Sequence, residues 1–236
     1  YGVGAGPAGA PSSSFASIAN RVSYTFDLHG PSLALDTMCS SSLTAIHLAC
    51  EDLRRGHAEA ALAGGVNLSL HPSKYLSLSQ GNFASTDGRC RSFGAGGDGY
   101  VPGEGVGAVL LKPLHRAIAD RDCIHGVIRG TAINHGGKTN GYTVPNPVAQ
   151  GALVAEALQR AGVPADSIGY VETHGTGTSL GDPIEITGLV RAWREAGAGV
   201  TPDETTACAI GSVKSNIGHL ESAAGIAALT KVLLQL

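Results

Sequence analysis

Three residues of this chain have the types needed for nucleophilic attack and proton donation: Cys39, His174 and His219. Each lies in a short polar run between an apolar stretch and a helix-forming one. Cys39 belongs to Asp36-Thr-Met-Cys-Ser-Ser-Ser-Leu-Thr-Ala-Ile-His-Leu-Ala-Cys50, entered from the apolar Leu33, Ala34 and Leu35. Leu43, Ile46, Cys50 and Leu53 then recur at steps of three and four, which predicts a helix from about Ser40 to Arg55. Cys39 therefore falls where a buried strand turns into a helix. Free backbone N–H groups and the positive end of the helix dipole collect there, and both favour a thiolate nucleophile. The plain alternative is a small buried hydrophobe, the reading kept for Cys50, Cys90, Cys123 and Cys208. Three consecutive serines set Cys39 apart, because they offer N-capping chemistry and no core.

His174 stands in Val171-Glu-Thr-His-Gly-Thr-Gly-Thr-Ser-Leu-Gly-Asp-Pro-Ile-Glu185, at the end of an apolar strand and before a helix. Ligands usually approach an open α/β sheet at such a place. Asp182, Pro183 and Glu185 carry the spacing of an N-cap, a first helical residue and an N3 partner, so capping is their plain reading. His174 has no such duty. Gly211-Ser-Val-Lys-Ser-Asn-Ile-Gly-His-Leu-Glu-Ser-Ala-Ala-Gly225 repeats the plan, with His219 between strand and helix. Lys214 alone would read as a solvated charge, and Ser215 or Asn216 as a cap. A cysteine and two histidines, each delivered by a strand-to-helix turn, could line one crevice.

The elements that must position them alternate. Helices are predicted at Phe15–Val22, Leu114–Arg121, Pro147–Ala161 (closed by Gly162), Pro183–Ala196 and Leu220 to the end. Strands are predicted at Ala58–Leu70, Val106–Leu111, Cys123–Ile133, Ile168–Glu172 and Ala207–Val213. His71–Ser85 reads as loop and short helix, His135–Pro147 and Thr201–Thr206 as loops, and 1–14 as a Gly/Ala/Pro/Ser-rich entry. The glycine-dense Asp87–Lys112 reads as a hairpin-like segment walling a pocket. Its glycines precede a strand, and no GxxxxGK[ST] run follows, which argues against nucleotide binding. The alternation predicts an α/β fold with a mainly parallel sheet.

The 236 residues suffice for one large domain or two small ones. A formal net charge of −3 without a basic run excludes a nucleic-acid footprint. No apolar stretch reaches about 18 residues, so no membrane span is predicted. Five scattered cysteines without CxxC spacing point to a reducing cytoplasm, with neither a disulfide framework nor a zinc site.

The segments DTMCSSSLTAIHLAC, VETHGTGTSLGDPIE and GSVKSNIGHLESAAG together resemble the active-site motifs of β-ketoacyl synthases, the condensing domains of modular polyketide synthases and fatty-acid synthases. The likeness runs across essentially the whole chain. It implies a thiolase-like α/β fold of two βαβαβ-type halves with mixed, mainly parallel sheets sandwiching helices. Residues 1–236 would be a single partial domain, incomplete at both ends, with about 1–112 from the N-terminal half and about 123–236 from the C-terminal half. Residue by residue, it implies Cys39 as nucleophile, His174 and His219 as catalytic histidines, Lys214 and Glu185 as supporting groups, and Thr176 and Thr178 as contacts to a phosphopantetheine arm. The implied reaction is decarboxylative Claisen condensation of a Cys39-bound acyl chain with a malonyl-type extender on acyl carrier protein. A non-elongating, transacylating ketosynthase is the alternative.

The resemblance implies no metal and no cofactor held by the domain, since the substrates ride on a carrier's phosphopantetheine. The implied partners are acyl carrier protein, other synthase domains and, at full length, a second copy in a homodimer. The C-terminal glycine-rich loop that supplies a second oxyanion-hole N–H in the family is missing. Met38 departs from the small residue that many relatives carry beside the nucleophile, which changes pocket shape. SLHPSKY and NGYTVPNP resemble polyketide synthases whose acyltransferase acts in trans.

Overall fold

The computed structural model describes residues 14–197 and 208–236, so the Thr201–Thr206 loop and nearly all of the 1–14 entry lie outside the described residues. The helices are α1 (Ala16–Thr25), α2 (Ser41–Arg54), α3 (Ser73–Gln80), α4 (Leu114–Asp120), α5 (Pro147–Ala161), α6 (Gly181–Glu195), α7 (Lys214–Ile217) and α8 (Ala224–Gln235). The strands are β1 (Ala61–Asn67), β2 (Gly105–Leu111), β3 (Tyr170–Glu172) and β4 (Ala209–Gly211). Where signals are local the boundaries follow the sequence. α5 begins at Asn146, whose side chain accepts the Val148 and Ala149 N–H groups, and ends at Gly162 with φ 61°.

The sheets are mixed. β1 pairs antiparallel with β2, from Ala61 opposite Leu111 to Asn67 opposite Gly105. β3 pairs parallel with β4, from Tyr170 opposite Ala209 to Glu172 opposite Gly211. The core gathers Ile46 and Cys50 of α2, Ala63 of β1, and Leu220, Ala223 and Ile226 around the start of α8.

Close approach is what joins these pieces. A Cβ on Gly65 of β1 would lie 2.7 Å from the Ser222 carbonyl oxygen and 2.9 Å from Ser42 Cβ. One on Gly225 of α8 would lie 2.5 Å from Leu43 Cγ. The bare strand thus lets α2 and the turn before α8 press on one stretch of backbone, which sets the residues preceding each helix side by side.

Three expectations are corrected. The strand expected to deliver Cys39, through Leu33, Ala34 and Leu35, forms no strand pairing among the described residues. Neither does Cys123–Ile133. It threads between helices instead: a Cβ on Gly126 would meet Leu233 at 2.8 Å, and one on Gly130 the Ala157 carbonyl at 2.6 Å. Residues 123–127 remain exposed all the same, so these contacts tether the segment without burying it. The Asp87–Lys112 segment is not a hairpin of its own, because its strand β2 pairs with β1. Its glycine-dense part bridges outward, Asp98 to Thr178 and Pro102 to His219, and so does form a wall. The apolar side chains Val106 and Leu110 of β2 remain 81% and 67% exposed, leaving one face of that sheet open.

Candidate active site

Cys39 sits in a single 3₁₀ turn, Met38–Ser40, immediately before α2. Met38 takes the left-handed φ of 57°, a conformation that a non-glycine residue holds only when its surroundings impose it. Here Asp36 Oδ1 accepts the Met38 N–H at 2.9 Å, and Ser41 Oγ donates to the Met38 carbonyl at 2.6 Å. Ser41 Oγ also accepts the Thr37 N–H at 3.0 Å, while Ser40 Oγ donates to the Thr37 carbonyl at 2.9 Å. The serines, expected to cap the helix outside the core, behave otherwise. Ser41 and Ser42 are buried, and Ser42 Oγ accepts the Ile226 N–H of α8 at 3.0 Å.

His174 follows β3 and is held by backbone. Its N–H donates to Glu185 Oε1 at 2.6 Å, and the Gly175 N–H donates to Glu185 Oε2 at 2.8 Å. Ser212 Oγ donates to the His174 carbonyl at 3.2 Å. Glu185 is therefore not the N3 partner of a capping box. Asp182 is likewise not the N-cap, because α6 begins one residue earlier and its carboxylate accepts Phe93 N–H at 2.7 Å and Gly177 N–H at 3.1 Å. Both acids bind the glycine-rich loop, since unpaired loop N–H groups offer them more than a helix end does. Thr176 and Thr178 face each other with hydroxyls 3.4 Å apart, and Thr178 Oγ1 accepts the Gly181 N–H at 3.0 Å.

His219 is 1% exposed. Its N–H donates to the Val101 carbonyl at 2.7 Å and its carbonyl accepts the Gly103 N–H at 2.8 Å, so the glycine-dense wall clamps it. The Tyr100 ring packs on it with centroids 4.8 Å apart. The Glu221 N–H donates to His219 Nδ1 at 2.9 Å, which places the proton of the neutral ring on Nε2.

The fold brings all three sequence-predicted groups together. Side-chain nitrogen or sulfur atoms of Cys39, His174 and His219 lie within 4.8 Å of one another, and the two imidazoles meet edge to face at 5.2 Å. Such a donor set has the spacing of a metal site, but the tautomer speaks against one. To ligate a metal, His219 Nε2 would have to shed its proton and Nδ1 would lose the Glu221 bond. The ring is built as an N–H donor. Lys214 is also buried close by, and burial lowers its pKa against the opposing pull of Glu185, Cys39 and Glu172.

The electrostatics correct one expectation. Burial pushes the Cys39 thiol up, the Glu221 carboxylate adds to this, and the Lys214 ammonium offsets it only in part. The helix end does not make Cys39 a resting thiolate. Glu221→Gln should therefore lower the Cys39 pKa and speed its alkylation by iodoacetamide at pH 7 several-fold, whereas Lys214→Met should slow it. An unchanged rate–pH profile in both variants would remove these two charges from the account.

Burial, then His174, Lys214 and Lys74, push His219 down to about 2. His174 keeps its ring open to the cleft, yet the protein around it and Lys214 lower its pKa too. Both rings are neutral near pH 7. The folded pKa of His219 lies below its unfolded value of about 6.5, so the unfolded chain takes up the proton first. The stability it contributes is complete above that value and is lost as pH falls. Urea unfolding should weaken by up to about 1.4 kcal/mol per pH unit between about pH 6 and 4 on its account, a slope that His219→Gln should flatten.

Sequence reasoning missed Tyr100, Glu221 and the true partners of Asp182 and Glu185, all long-range contacts that no local pattern announces. The Asn67–Lys74–Glu221 chain was also unseen: Lys74 Nζ reaches Asn67 Oδ1 at 3.0 Å and Glu221 Oε2 at 2.8 Å.

The β-ketoacyl synthase N-terminal domain model matches residues 4–117, and the β-ketoacyl synthase C-terminal domain model matches residues 125–236. Polyketide synthase ThaG of Burkholderia thailandensis is 66% identical over 239 residues, spanning 100% of this chain and 4% of its own length. Polyketide synthase PksL of Bacillus subtilis is 67% identical over 220 residues, 93% of this chain and 5% of its own. Among solved structures, the oxazolomycin ketosynthase domain OzmH KS7 of Streptomyces albus superposes with a TM-score of 0.89 at 66% identity, covering 95% of this chain and 38% of its own. The ketosynthase from module 6 of the bacillaene synthase of Bacillus subtilis gives 0.89 at 48% identity, with 94% and 39% covered. The chain thus spans a small part of these curated relatives and under half of the solved chains.

Proposed function

Because the chain belongs to the β-ketoacyl synthase family, as an internal ketosynthase segment with the thiolase-like α/β fold of its relatives, we propose that it forms the centre of a domain carrying out decarboxylative condensation in polyketide assembly. Residues 1–236 are one partial domain, with about 1–112 from its N-terminal half and about 123–236 from its C-terminal half.

Cys39 is the nucleophile. Its sulfur attacks the carbonyl of an acyl thioester on a carrier's phosphopantetheine arm, the C–S bond to the arm breaks, and the thiol proton leaves with the departing sulfur. Since Cys39 rests as a thiol, that proton needs an acceptor on its way, and a neutral imidazole is at hand. A malonyl-type thioester then binds, with Thr176 and Thr178 beside its arm. Loss of CO2 breaks a carbon–carbon bond and leaves the electron pair on an enolate. His219 and His174 donate N–H to the enolate oxygen, each such donor being worth roughly 3 kcal/mol on the barrier. The enolate carbon attacks acyl-Cys39, the C–S bond breaks, and the sulfur regains a proton. The product is a β-ketoacyl thioester longer by two backbone carbons. Burial keeps both rings neutral, with Lys214 adding to it by repulsion, and Glu185 fixes the His174 backbone.

The observation that carries this reading is the meeting of one thiol with two imidazoles, of which His219 is held as an N–H donor. The domain holds no cofactor of its own. Its partners are acyl carrier protein, the neighbouring synthase domains and a second copy in a homodimer, in the cytoplasm. It needs neither nucleic acid nor membrane, and no described helix is long and apolar enough to cross one. The test is to incubate the complete protein with acyl- and malonyl-carrier and follow both by mass. A lengthened β-ketoacyl carrier with release of CO2 is the expected result. Acylation of Cys39 and transfer to a second carrier without CO2 would establish the transacylating alternative.

A further inference from the structure

Glu172 stands two residues before His174, and its side chain is 4% exposed. Its carboxylate is held from its own strand, from the turn before α7 and from α8. Val213 N–H donates to Oε1 at 2.5 Å, from the residue immediately before Lys214. The Lys231 ammonium of α8 lies 2.7 Å from Oε2, and the Tyr170 hydroxyl of β3 donates to that same oxygen at 2.5 Å. Lys231 Nζ also sits 5.5 Å over the Tyr170 ring. Partial burial works against the Lys231 ammonium, but Glu172 and Tyr170 outweigh it and keep it charged.

This carboxylate closes a gap that the strand ladder leaves. β3 and β4 share only three residue pairs, and the two loops they feed carry His174 on one side and Lys214 and His219 on the other. Thr173 continues the joint, its N–H and hydroxyl both donating to the Gly211 carbonyl at 2.8 and 2.7 Å. Cys39 is held separately, by Asp36 and the serines of its own turn.

We propose that Glu172, clamped by Lys231 and Tyr170, is a positioning residue that sets the separation of the two imidazoles and Lys214 without touching substrate. The inference rests on the condensing function proposed above. Misplacing a reacting group by about 1 Å through a change away from the chemistry can cost about 10²-fold in rate. Because the clamp serves the histidines and not the sulfur, its loss should divide the partial reactions.

In the complete protein, Glu172→Gln should slow decarboxylation of malonyl-carrier by about tenfold or more in kcat, at nearly unchanged KM. The rate of Cys39 acylation by acyl-carrier should fall by clearly less than decarboxylation, since one imidazole suffices to accept its proton and the Cys39 turn itself makes no bond to the clamp. Tyr170→Phe removes one donor without stranding a charge, so it should fold even if Glu172→Gln does not, and should show the same division with a smaller drop. Glu172→Asp should restore part of the decarboxylation rate. Equal losses in both partial reactions, or no loss in either, would overturn the positioning role. A wild-type protein that is acylated yet never decarboxylates malonyl-carrier would instead sink the condensing function, and this role with it.

Discussion

Cys39→Ala, introduced into the complete protein, should abolish acyl-enzyme formation outright. No other described cysteine can stand in: Cys50 and Cys90 are buried, and none of Cys50, Cys90, Cys123 and Cys208 belongs to the cluster with the imidazoles. Condensation should fall to the limit of detection, because the acyl chain has nowhere to wait while the extender binds. Decarboxylation of malonyl-carrier should survive, since the donors for its enolate are His174 and His219. Mass spectrometry of the acylated protein and measurement of released CO2 separate the two. An acyl adduct persisting on the variant would move the nucleophile elsewhere, and loss of both reactions would mean that the sulfur also shapes the donor site.

His219→Ala should give the converse. The Nε2 proton aimed by the Glu221 bond disappears, and with it an N–H preset where negative charge develops. Deleting one such donor costs about 10²- to 10³-fold in kcat. His219 should matter at least as much as His174, because it is shut from water at 1% exposure while the His174 ring is open to the cleft, and a dry donor acts more strongly. Cys39 should still accept an acyl group. Asn at 219 keeps an N–H and should recover part of the rate. If His219→Ala left decarboxylation intact, the enolate would need another donor.

What the chain disclosed by itself follows the range of the forces involved. α5 could be placed to the residue because its cap at Asn146 and its left-handed Gly162 act on neighbours a few positions away. The convergence of Cys39, His174 and His219 was also legible, since each is announced by the same strand–turn–helix change of pattern. The errors arise where one residue type serves either a near or a far partner. Asp182 and Glu185 have capping spacing, but their oxygens go to Phe93, Gly177, His174 and Gly175. Cys123–Ile133 has the apolar content of a strand, but it merely touches α5 and α8, stays largely exposed, and forms no ladder among the described residues. The charge on Cys39 was misjudged because a helix end is local, whereas Glu221 reaches the sulfur only through the fold.

The bare backbone at Gly65 carries a consequence for recombining this domain with its relatives. Sulfur and imidazoles lie within 4.8 Å of one another, and contacts beneath them, Ser42 to Ile226 and Gly225 to Leu43, join the early part of the chain to the late part. A hybrid spliced near the middle would inherit one wall from each parent. It would keep a working gap only if both parents carry a small residue at each of these meeting points. A single methyl group there would wedge the nucleophile away from its proton donors although every catalytic residue is still present in the sequence.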